Sequence, residues 1–403
     1  MFLDTLARRN PALVQTSVAL HQSGEIPPNS YVLDLDAVRR NARAVKQAAD
    51  AAGLQVYPMT KQVGRNPLFV RAVARAGMPR FVCVDWMGAE ILAGQGAGIG
   101  HVGHLVQIPR GEAARIAAMG PEVWTVFNAE KAREAAEAAQ AAGRQQDVLL
   151  RVVAPDDVFY PTHDGGFAAE DVVSAAREVG GLAGLRVVGV TSFPTLLFDP
   201  ERETVALTPN MRTIAEAAER LRRETGLAIT QVNAPGTTSA ETMRMLAEAG
   251  ATHVEPGHGF TGTTPWHAYA DLPETPAICY LSEVTDVRGD QAYVLGGGFL
   301  VDPVIPPYQV RAFVGKEGQA ALGNRAHADL GSRDGIDYYA LLDRRSARVG
   351  IGDSVVFGFR AQVFATRAYV AVVRGISRGR PRVAGVYDAN GRRLRRPSRP
   401  GGR

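Results

Sequence analysis

Hydrophobic and polar positions follow two different patterns along this chain, and the change falls near residue 265. From about residue 31 to residue 259, short apolar runs rich in β-branched residues alternate with segments of helical periodicity. In the first such segment, Val38, Ala42 and Val45 recur at intervals that place them on one helix face. Strands that alternate with helices predict parallel strands joined by crossover helices.

Eight apolar runs fit the strands of a closed barrel. Their predicted positions are 54–60, 80–86, 101–108, 122–127, 147–153, 185–191, 227–233 and 253–256. Eight β/α units close a barrel whose active site lies at the carboxyl ends of the strands, and the loops after strands seven and eight commonly bind phosphate. The sequence therefore predicts an α/β fold with a (β/α)8 barrel within residues 30–265.

The remaining segments predict a second domain. After Pro265 the apolar runs are short, alternating or β-branched, and separated by Gly, Asp and Pro, with no long helix. We therefore expect a C-terminal β domain over residues 266–380. The apolar run Tyr31–Leu35 has no place among the eight strands and is expected to join this domain. Residues 1–29 form an N-terminal extension and residues 381–403 a basic, disordered tail.

Composition narrows the classes of function. The 403 residues are 46% hydrophobic and 21% charged, as in ordinary globular proteins. The net charge is +4, but the last thirteen residues hold six arginines and no acid, so residues 1–390 carry a net charge of −2. The folded body is thus not expected to bind nucleic acid. A nucleic-acid-binding tail is a weaker alternative, since Gly/Pro/Arg-rich ends are usually solvated.

Other features suggest a cytoplasmic protein. Two cysteines, Cys83 and Cys279, are too few for a disulfide framework in a chain of this size. The N-terminus lacks the pattern of a signal peptide, and the chain has no apolar stretch of about 20 residues. We expect a protein that is neither secreted nor membrane-spanning.

Two residues at predicted strand ends suggest cofactor chemistry. Lys61 follows strand one, and a lysine there can form a Schiff base with an aldehyde cofactor if its amine is neutral. Glu255 follows strand eight, and a carboxylate beside the ring nitrogen of pyridoxal phosphate keeps that nitrogen protonated. The pair predicts a pyridoxal 5'-phosphate site. Taken singly, a solvated surface lysine and a helix-capping glutamate are the ordinary alternatives.

The chain resembles the fold-type III pyridoxal-phosphate enzymes in three segments. They are YPMTK at 57–61, NAPGTTS at 233–239 and VEPGHG at 254–259. The resemblance covers roughly residues 30–380 and is to the alanine-racemase-like superfamily, in particular its YhfX-like branch. It implies a pyridoxal-phosphate-binding (β/α)8 barrel with a C-terminal β domain, and Lys61 as the residue bonded to the cofactor. Arg65 takes the place of a phosphate-binding tyrosine.

The resemblance also implies further contacts with the cofactor. Gly257 and His258 match positions whose backbone amides hold the phosphate. Small side chains and hydroxyl groups for the same anion come from Gly236, Thr237 and Thr238. His163 and Ser192 follow strands five and six, where the family contacts the ring or its hydroxyl. Glu255 stands where racemases have an arginine, as in the ornithine/diaminopimelate decarboxylase branch.

The chain departs from the racemases at the second proton carrier. GGGFLVD stands where their tyrosine should fall, and the possible substitutes Cys279, Tyr280, Tyr338 and Tyr339 are each better explained by packing or a dimer contact. Arg360 is a candidate for binding a substrate carboxylate. The zinc ligands of the D-threonine aldolases and D-serine dehydratases are replaced by FGFRAQVFATRA, so no metal is expected.

His101 and His104 lie in the predicted third strand at i, i+3 spacing. Side chains three positions apart in a strand point to opposite faces, so these histidines are expected to be structural rather than a metal pair.

The resemblance implies an enzyme that acts at the α-carbon of an amino acid, with a racemase or epimerase as the leading hypothesis. Lys61 would hold the cofactor and move the α-proton, and a homodimer is expected. A decarboxylase or a metal-free D-amino-acid lyase is the alternative that Glu255 favours. A non-catalytic cofactor-homeostasis protein is a third hypothesis, which the β domain opposes. The sequence names neither the substrate nor the second acid or base.

Overall fold

The computed structural model describes residues 1–300, 309–331 and 336–394. The chain divides into two compact units. The first, here called the barrel unit, comprises Arg39–Lys61 and Val70–Thr275. The second, here called the β unit, comprises Met1–Val38, Gln62–Phe69 and Pro276–Arg403.

The chain begins with two helices, and their boundary follows from local chemistry. Asn10 accepts a hydrogen bond from the amide of Leu13 (3.3 Å), and Pro11 occupies the first helical position, where no amide hydrogen is needed. The first elements are α1 (Phe2–Arg9), α2 (Pro11–Gln22), β1 (Ser30–Asp34) and α3 (Leu35–Ala51).

The next elements alternate between strand and helix, as the periodicity predicts. They are β2 (Gln55–Val56), α4 (Pro67–Arg75), β3 (Arg80–Val82), α5 (Trp86–Gly94), β4 (Gly98–Val102), α6 (Ala113–Ala118), β5 (Val123–Val126), α7 (Ala129–Ala141), β6 (Gln146–Val153), β7 (Phe167–Ala168), α8 (Val172–Gly180), β8 (Leu185–Thr191), β9 (Leu196–Asp199), β10 (Thr204–Leu207), α9 (Pro209–Thr225), β11 (Gln231–Asn233), α10 (Met243–Glu248) and β12 (His253–Val254).

Eight of these strands form a nearly closed parallel barrel. Their order is β2-β12-β11-β8-β6-β5-β4-β3, and Met59, just beyond β2, bridges to Val82 of β3. Side chains from several strands, including Val123 of β5 and Leu149 of β6, pack with Tyr57 into a buried cluster. The predicted (β/α)8 barrel is confirmed.

Several barrel strands are shorter than predicted, and one of these differences affects the site. The third barrel strand, predicted at 101–108, is observed as Gly98–Val102. It ends because Gly103 adopts a left-handed backbone with φ of 77°, a conformation that glycine adopts without steric cost. The chain therefore turns before His104, which changes the direction of that side chain.

The β unit contains a largely antiparallel sheet, which confirms the predicted β domain. The elements after the barrel are β13 (Ile278–Arg288), β14 (Gln291–Leu295), β15 (Arg311–Gly315), α11 (Gly318–Leu322), β16 (Arg325–Asp329), β17 (Tyr339–Asp343), β18 (Ser354–Phe357), β19 (Tyr369–Arg374) and β20 (Arg382–Tyr387). The sheet order is β14-β17-β16-β15-β18-β13-β1-β19-β20. Strand β1, the run without a place in the barrel, lies between β13 and β19.

The ends of the chain also belong to this unit. Leu6, Leu13 and Val14 from α1 and α2 share a buried core with Phe313 and Val356 of the sheet. The prediction of a disordered tail from residue 381 is wrong over β20, which pairs with β19 through its backbone. Residues 395–403, with most of the predicted arginine cluster, lie outside the described residues. No helix in the described ranges combines the length and apolar character needed to cross a membrane.

Candidate active site

Lys61 and Glu255 both lie near His104 in the barrel unit. Lys61 begins a short 3-10 turn beyond β2 and is half-buried, whereas Glu255 follows β12 and is buried. Burial lowers the pKa of His104 to about 3, Glu255 opposes this shift, and Lys61 adds to it. Both charged groups must therefore lie near the imidazole of His104.

A hydrogen-bond network holds the carboxylate. Oε1 of Glu255 lies 2.5 Å from Nδ1 of His101 and accepts a hydrogen bond from Nδ2 of Asn233 (2.9 Å). Nε2 of His101 lies 2.5 Å from the hydroxyl of Thr125. Nε2 of His104 lies 3.3 Å from the other carboxylate oxygen, Oε2. The four side chains Glu255, His101, Asn233 and Thr125 come from the carboxyl ends of different barrel strands.

The expectation that His101 and His104 point to opposite faces is wrong. His101 lies within β4, but the turn at Gly103 brings His104 back toward the same carboxylate, and both imidazoles are buried. The pair was visible in the sequence, but its role depends on where the strand ends. Histidines at the carboxyl end of a barrel strand would have been a signal for a site.

The environment of Glu255 favours its ionised form. Burial acts to raise its pKa, but the hydrogen bonds that His101 and Asn233 make to Oε1 oppose this effect and bring the pKa below its usual value. Among the described residues, Oε2 of Glu255 accepts no hydrogen bond. An unsatisfied buried charged group costs at least about 1–3 kcal/mol. A ligand that donates a hydrogen bond to Oε2 would recover this free energy.

Arg151 is a further charged group near His104, and the sequence did not predict it as a site residue. It lies on β6 and is completely buried, with its guanidinium stacked 4.8 Å over the ring of Phe127. The guanidinium donates to the carbonyl oxygens of His104 (3.2 Å), Phe193 (3.4 Å) and His163. Burial lowers its pKa to about 10, so it stays charged at neutral pH. An arginine within the apolar strand QDVLLRVV was the available signal.

The loops after strands seven and eight lie against each other. A Cβ atom on Gly259 would be 2.9 Å from the carbonyl oxygen of Thr238, so only glycine fits there without movement. The amide of Thr237 donates to Leu196 (2.9 Å) and that of Thr238 to Gly236 (2.9 Å). These two amides therefore stabilise the loop itself, and the half-buried Thr237 side chain is what this loop offers a ligand.

The other barrel-unit residues that are predicted to contact the cofactor differ in how far they are buried. Gly257 is half-buried and His258 is buried, both directly after β12. His163 is half-buried, and its ring lies 6.2 Å from that of Phe193. Ser192 is buried, and its hydroxyl accepts a hydrogen bond from Asn210 (3.2 Å).

The remaining candidates belong to the β unit. Arg65 is buried there and its guanidinium lies 5.2 Å from the ring centre of Phe364. Arg360 is half-buried, and Tyr338 is exposed, with Arg367 over its ring.

Two of the possible second proton carriers are poorly suited to that role. Cys279 is buried beside Ser17, and burial raises its pKa to about 12. Tyr280 is buried, and burial raises its pKa well above the usual value. Each would release its proton only at high pH.

Comparison with known proteins gives the class and then the family. Residues 33–265 match the family described as Alanine racemase, N-terminal domain, in agreement with the barrel and its site. Residues 279–383 match the family YhfX-like, C-terminal domain. The chain therefore belongs to the YhfX-like branch of the alanine-racemase-like proteins. It is 38% identical to protein YhfX of Escherichia coli (strain K12) over 395 aligned residues. The alignment covers 98% of this chain and 100% of that protein.

Solved structures share the same fold. D-threonine aldolase from Filomicrobium marinum matches with a TM-score of 0.65 and 17% identity, over 91% of this chain and 96% of that one. D-threo-3-hydroxyaspartate dehydratase from Delftia sp. HT23 matches with a TM-score of 0.65 and 16% identity, over 90% of this chain and 97% of that one. Alanine racemase of Clostridium difficile 630 matches with a TM-score of 0.60 and 14% identity, over 90% of this chain and 99% of that one. At these identities the likeness shows the fold alone.

Proposed function

We propose that this protein is a pyridoxal-phosphate-dependent enzyme that acts at the α-carbon of an amino acid, with racemisation or epimerisation as the leading reaction. The observation that supports this most strongly is the pairing of Lys61 with an ionised, buried Glu255 around His104. The relatives that share the fold include a racemase, an aldolase and a dehydratase of amino acids.

The described residues of the barrel unit fit this cofactor. Oε2 of Glu255, which accepts no hydrogen bond among the described residues, is suited to accept one from a protonated ring nitrogen. Lys61 offers the amine for an aldehyde, and Arg151 offers a positive charge for an anionic oxygen. The phosphate would lie at the contacting loops, near Gly236, Thr237, Thr238, Gly257 and His258, with His163 and Ser192 near the ring. The roles of Arg65, Arg360 and Tyr338 stay predictions of the resemblance.

When bound, pyridoxal phosphate supplies an electron sink for the negative charge that forms at the α-carbon. Glu255, whose carboxylate is ionised and buried, would pair with a protonated ring nitrogen and so favour electron withdrawal by the ring. Lys61 takes and returns the α-proton through its amine. The neighbouring imidazole of His104 stays neutral at neutral pH. The negative charge of Glu255 would therefore pair with the ring nitrogen and not with His104.

A decarboxylase or D-amino-acid lyase is the second candidate, because a carboxylate at the ring nitrogen also suits reactions that need a deep sink. The purified protein, loaded with cofactor, can be incubated with single L- and D-amino acids in deuterated water and followed by proton NMR. Exchange of the α-proton with appearance of the other enantiomer supports a racemase. Carbon dioxide supports a decarboxylase, and a keto acid or an aldehyde supports a lyase. Binding of the cofactor without change in any amino acid would support the cofactor-homeostasis protein instead.

A further inference from the structure

The carboxylate of Glu255 is held from one side. Both hydrogen-bond donors that reach it among the described residues, Nδ1 of His101 and Nδ2 of Asn233, meet the same oxygen, Oε1. Rotation of the carboxylate would break both bonds, and bonds to a charged group are the stronger ones. The second oxygen, Oε2, lies 3.3 Å from Nε2 of His104 but accepts no hydrogen bond among the described residues, so its position is determined mainly by the groups that hold Oε1.

His101 is itself held by a second group. The hydroxyl of Thr125, on the neighbouring strand β5, lies 2.5 Å from its Nε2. Because Glu255 is ionised, Nδ1 of His101 carries the proton that faces it. In a neutral imidazole Nε2 is then an acceptor, and the Thr125 hydroxyl is the group that can donate to it. The network crosses the barrel interior, from β5 and β4 to β11 and β12.

We propose that His101 is a positioning residue, which holds Glu255 by Oε1 so that Oε2 alone meets the ring nitrogen, and that Thr125 selects the tautomer this requires. The proposal rests on the proposed function, since it concerns the carboxylate assigned to the cofactor. Outer groups that orient a ligand in this way typically contribute about 10- to 100-fold to affinity or activity in metal sites, and we expect a similar range here.

The test uses the protonation of the ring nitrogen, which a merely structural role would not change. Cofactor labelled with nitrogen-15 in the ring reports that protonation by its NMR shift. In the unmodified protein we expect a protonated ring. In His101→Leu we expect a largely unprotonated ring and a kcat about 10- to 100-fold lower with little change in KM. His101→Asn keeps a donor near the Nδ1 position and should restore most of the protonated signal.

The Thr125 variants make a matched pair that keeps the proposal testable if His101→Leu does not fold. Thr125→Ser keeps the hydroxyl and should behave like the unmodified protein, whereas Thr125→Val keeps the shape, loses the hydroxyl and should shift the signal toward the unprotonated ring. His21→Gln is the control for loss of a buried histidine, because His21 lies in the β unit beside Ser354 (2.7 Å). It should leave the signal unchanged.

Failure of this inference can be told apart from failure of the proposed function. If borohydride reduction fixes no cofactor on Lys61, the proposed function fails. If the label is on Lys61 but the nitrogen signal is the same in His101→Leu and Thr125→Val, the positioning role is overturned. A divalent ion that co-purifies and is lost in His101→Leu would also overturn it, since donor atoms of His101, His104 and Glu255 lie within 4.8 Å of one another.

Discussion

The backbone of Gly259 lies against Thr238, so that a Cβ atom at residue 259 would come within 2.9 Å of the Thr238 carbonyl oxygen. This contact joins the loops after the seventh and eighth barrel strands. Glu274 supports the same region, because its Oε1 accepts a hydrogen bond from the amide of Ala240 (2.6 Å). The two loops can therefore act as one surface for an anion.

Gly259→Ala is expected to separate the loops. The added methyl group meets backbone, which cannot swing away as a side chain can, and overpacking of this kind costs about 1–3 kcal/mol. We expect weaker cofactor binding in fluorescence titration and a lower midpoint of unfolding. Gly94→Ala is the matched control, since a methyl group added at this position, at the end of α5, would have no neighbour within 4 Å. Equal behaviour of the two variants would contradict the contact.

Lys61 is expected to be the residue bonded to the cofactor. Borohydride reduction followed by peptide mass mapping should place the label on Lys61, and Lys61→Ala should lose it. Lys131 is a suitable control because its ammonium is already bound by the Ile108 carbonyl (2.7 Å) and by Glu134 (2.5 Å). A label on Lys131 or Lys46 would show that the assignment of the first barrel strand's lysine is wrong.

Acid is expected to destabilise the folded protein through His104. The ordinary pKa of 6.5 falls to about 3 in the folded state, chiefly by burial. His104 therefore binds a proton below about pH 6.5 in the unfolded chain, but only below about pH 3 in the folded chain. The free energy of unfolding consequently falls as the pH falls through this window. Burial lowers the pKa of His253 to about 4, which acts in the same direction.

Denaturant unfolding of the cofactor-free protein between about pH 6.5 and pH 5 measures this slope. His104→Gln should roughly halve the loss of stability over that range, because His253 still contributes. His327→Gln removes an exposed histidine and is the control. An unchanged slope in His104→Gln would mean that His104 is charged in the folded state.

Arg151→Lys is expected to loosen the loops that the guanidinium holds. A single ammonium cannot reproduce the bonds to the carbonyl oxygens of His104, Phe193 and His163, and each buried group left unsatisfied costs about 1–3 kcal/mol. Denaturant unfolding should show the loss, and hydrogen exchange should become faster around these three residues. Arg186→Lys, at an exposed pair with Asp147 (2.6 Å), should change stability by less than about 1 kcal/mol.

A homodimer is expected, because large apolar side chains are exposed in helix α5 and in the loops after β4 and β6. They are Met87, Val106 and Val158, each more than 40% exposed. Burial of such residues against a second copy would remove apolar surface from water. Sedimentation at micromolar concentration should give a dimer, and Val106→Asp should weaken it, whereas Ile351→Asp in the β unit is a control at another exposed apolar position. A monomer with full turnover would refute the expectation.

The barrel and the β domain could be predicted because hydrophobic periodicity is a local property of the chain. Lys61 and Glu255 could be proposed as site residues for a related reason, since each is a reactive residue type directly after an apolar run. Strand β20 was missed because its run, RVAGVY, is bordered by arginines that resemble the tail. Its pairing with β19 is decided by tertiary contact.

The network around Glu255 was decided by the tertiary structure alone. His101 and Glu255 are 154 positions apart and meet only because the barrel brings the ends of β4 and β12 to the same interior. His104 joins them because Gly103 turns the chain earlier than the apolar pattern indicates. The burial of Arg151 and its bonds to carbonyl oxygens depend on the strands and loops that surround it in the folded barrel. Sequence periodicity specifies which face of an element is buried, but the distance between two buried polar groups depends on register and closure, which no local pattern contains.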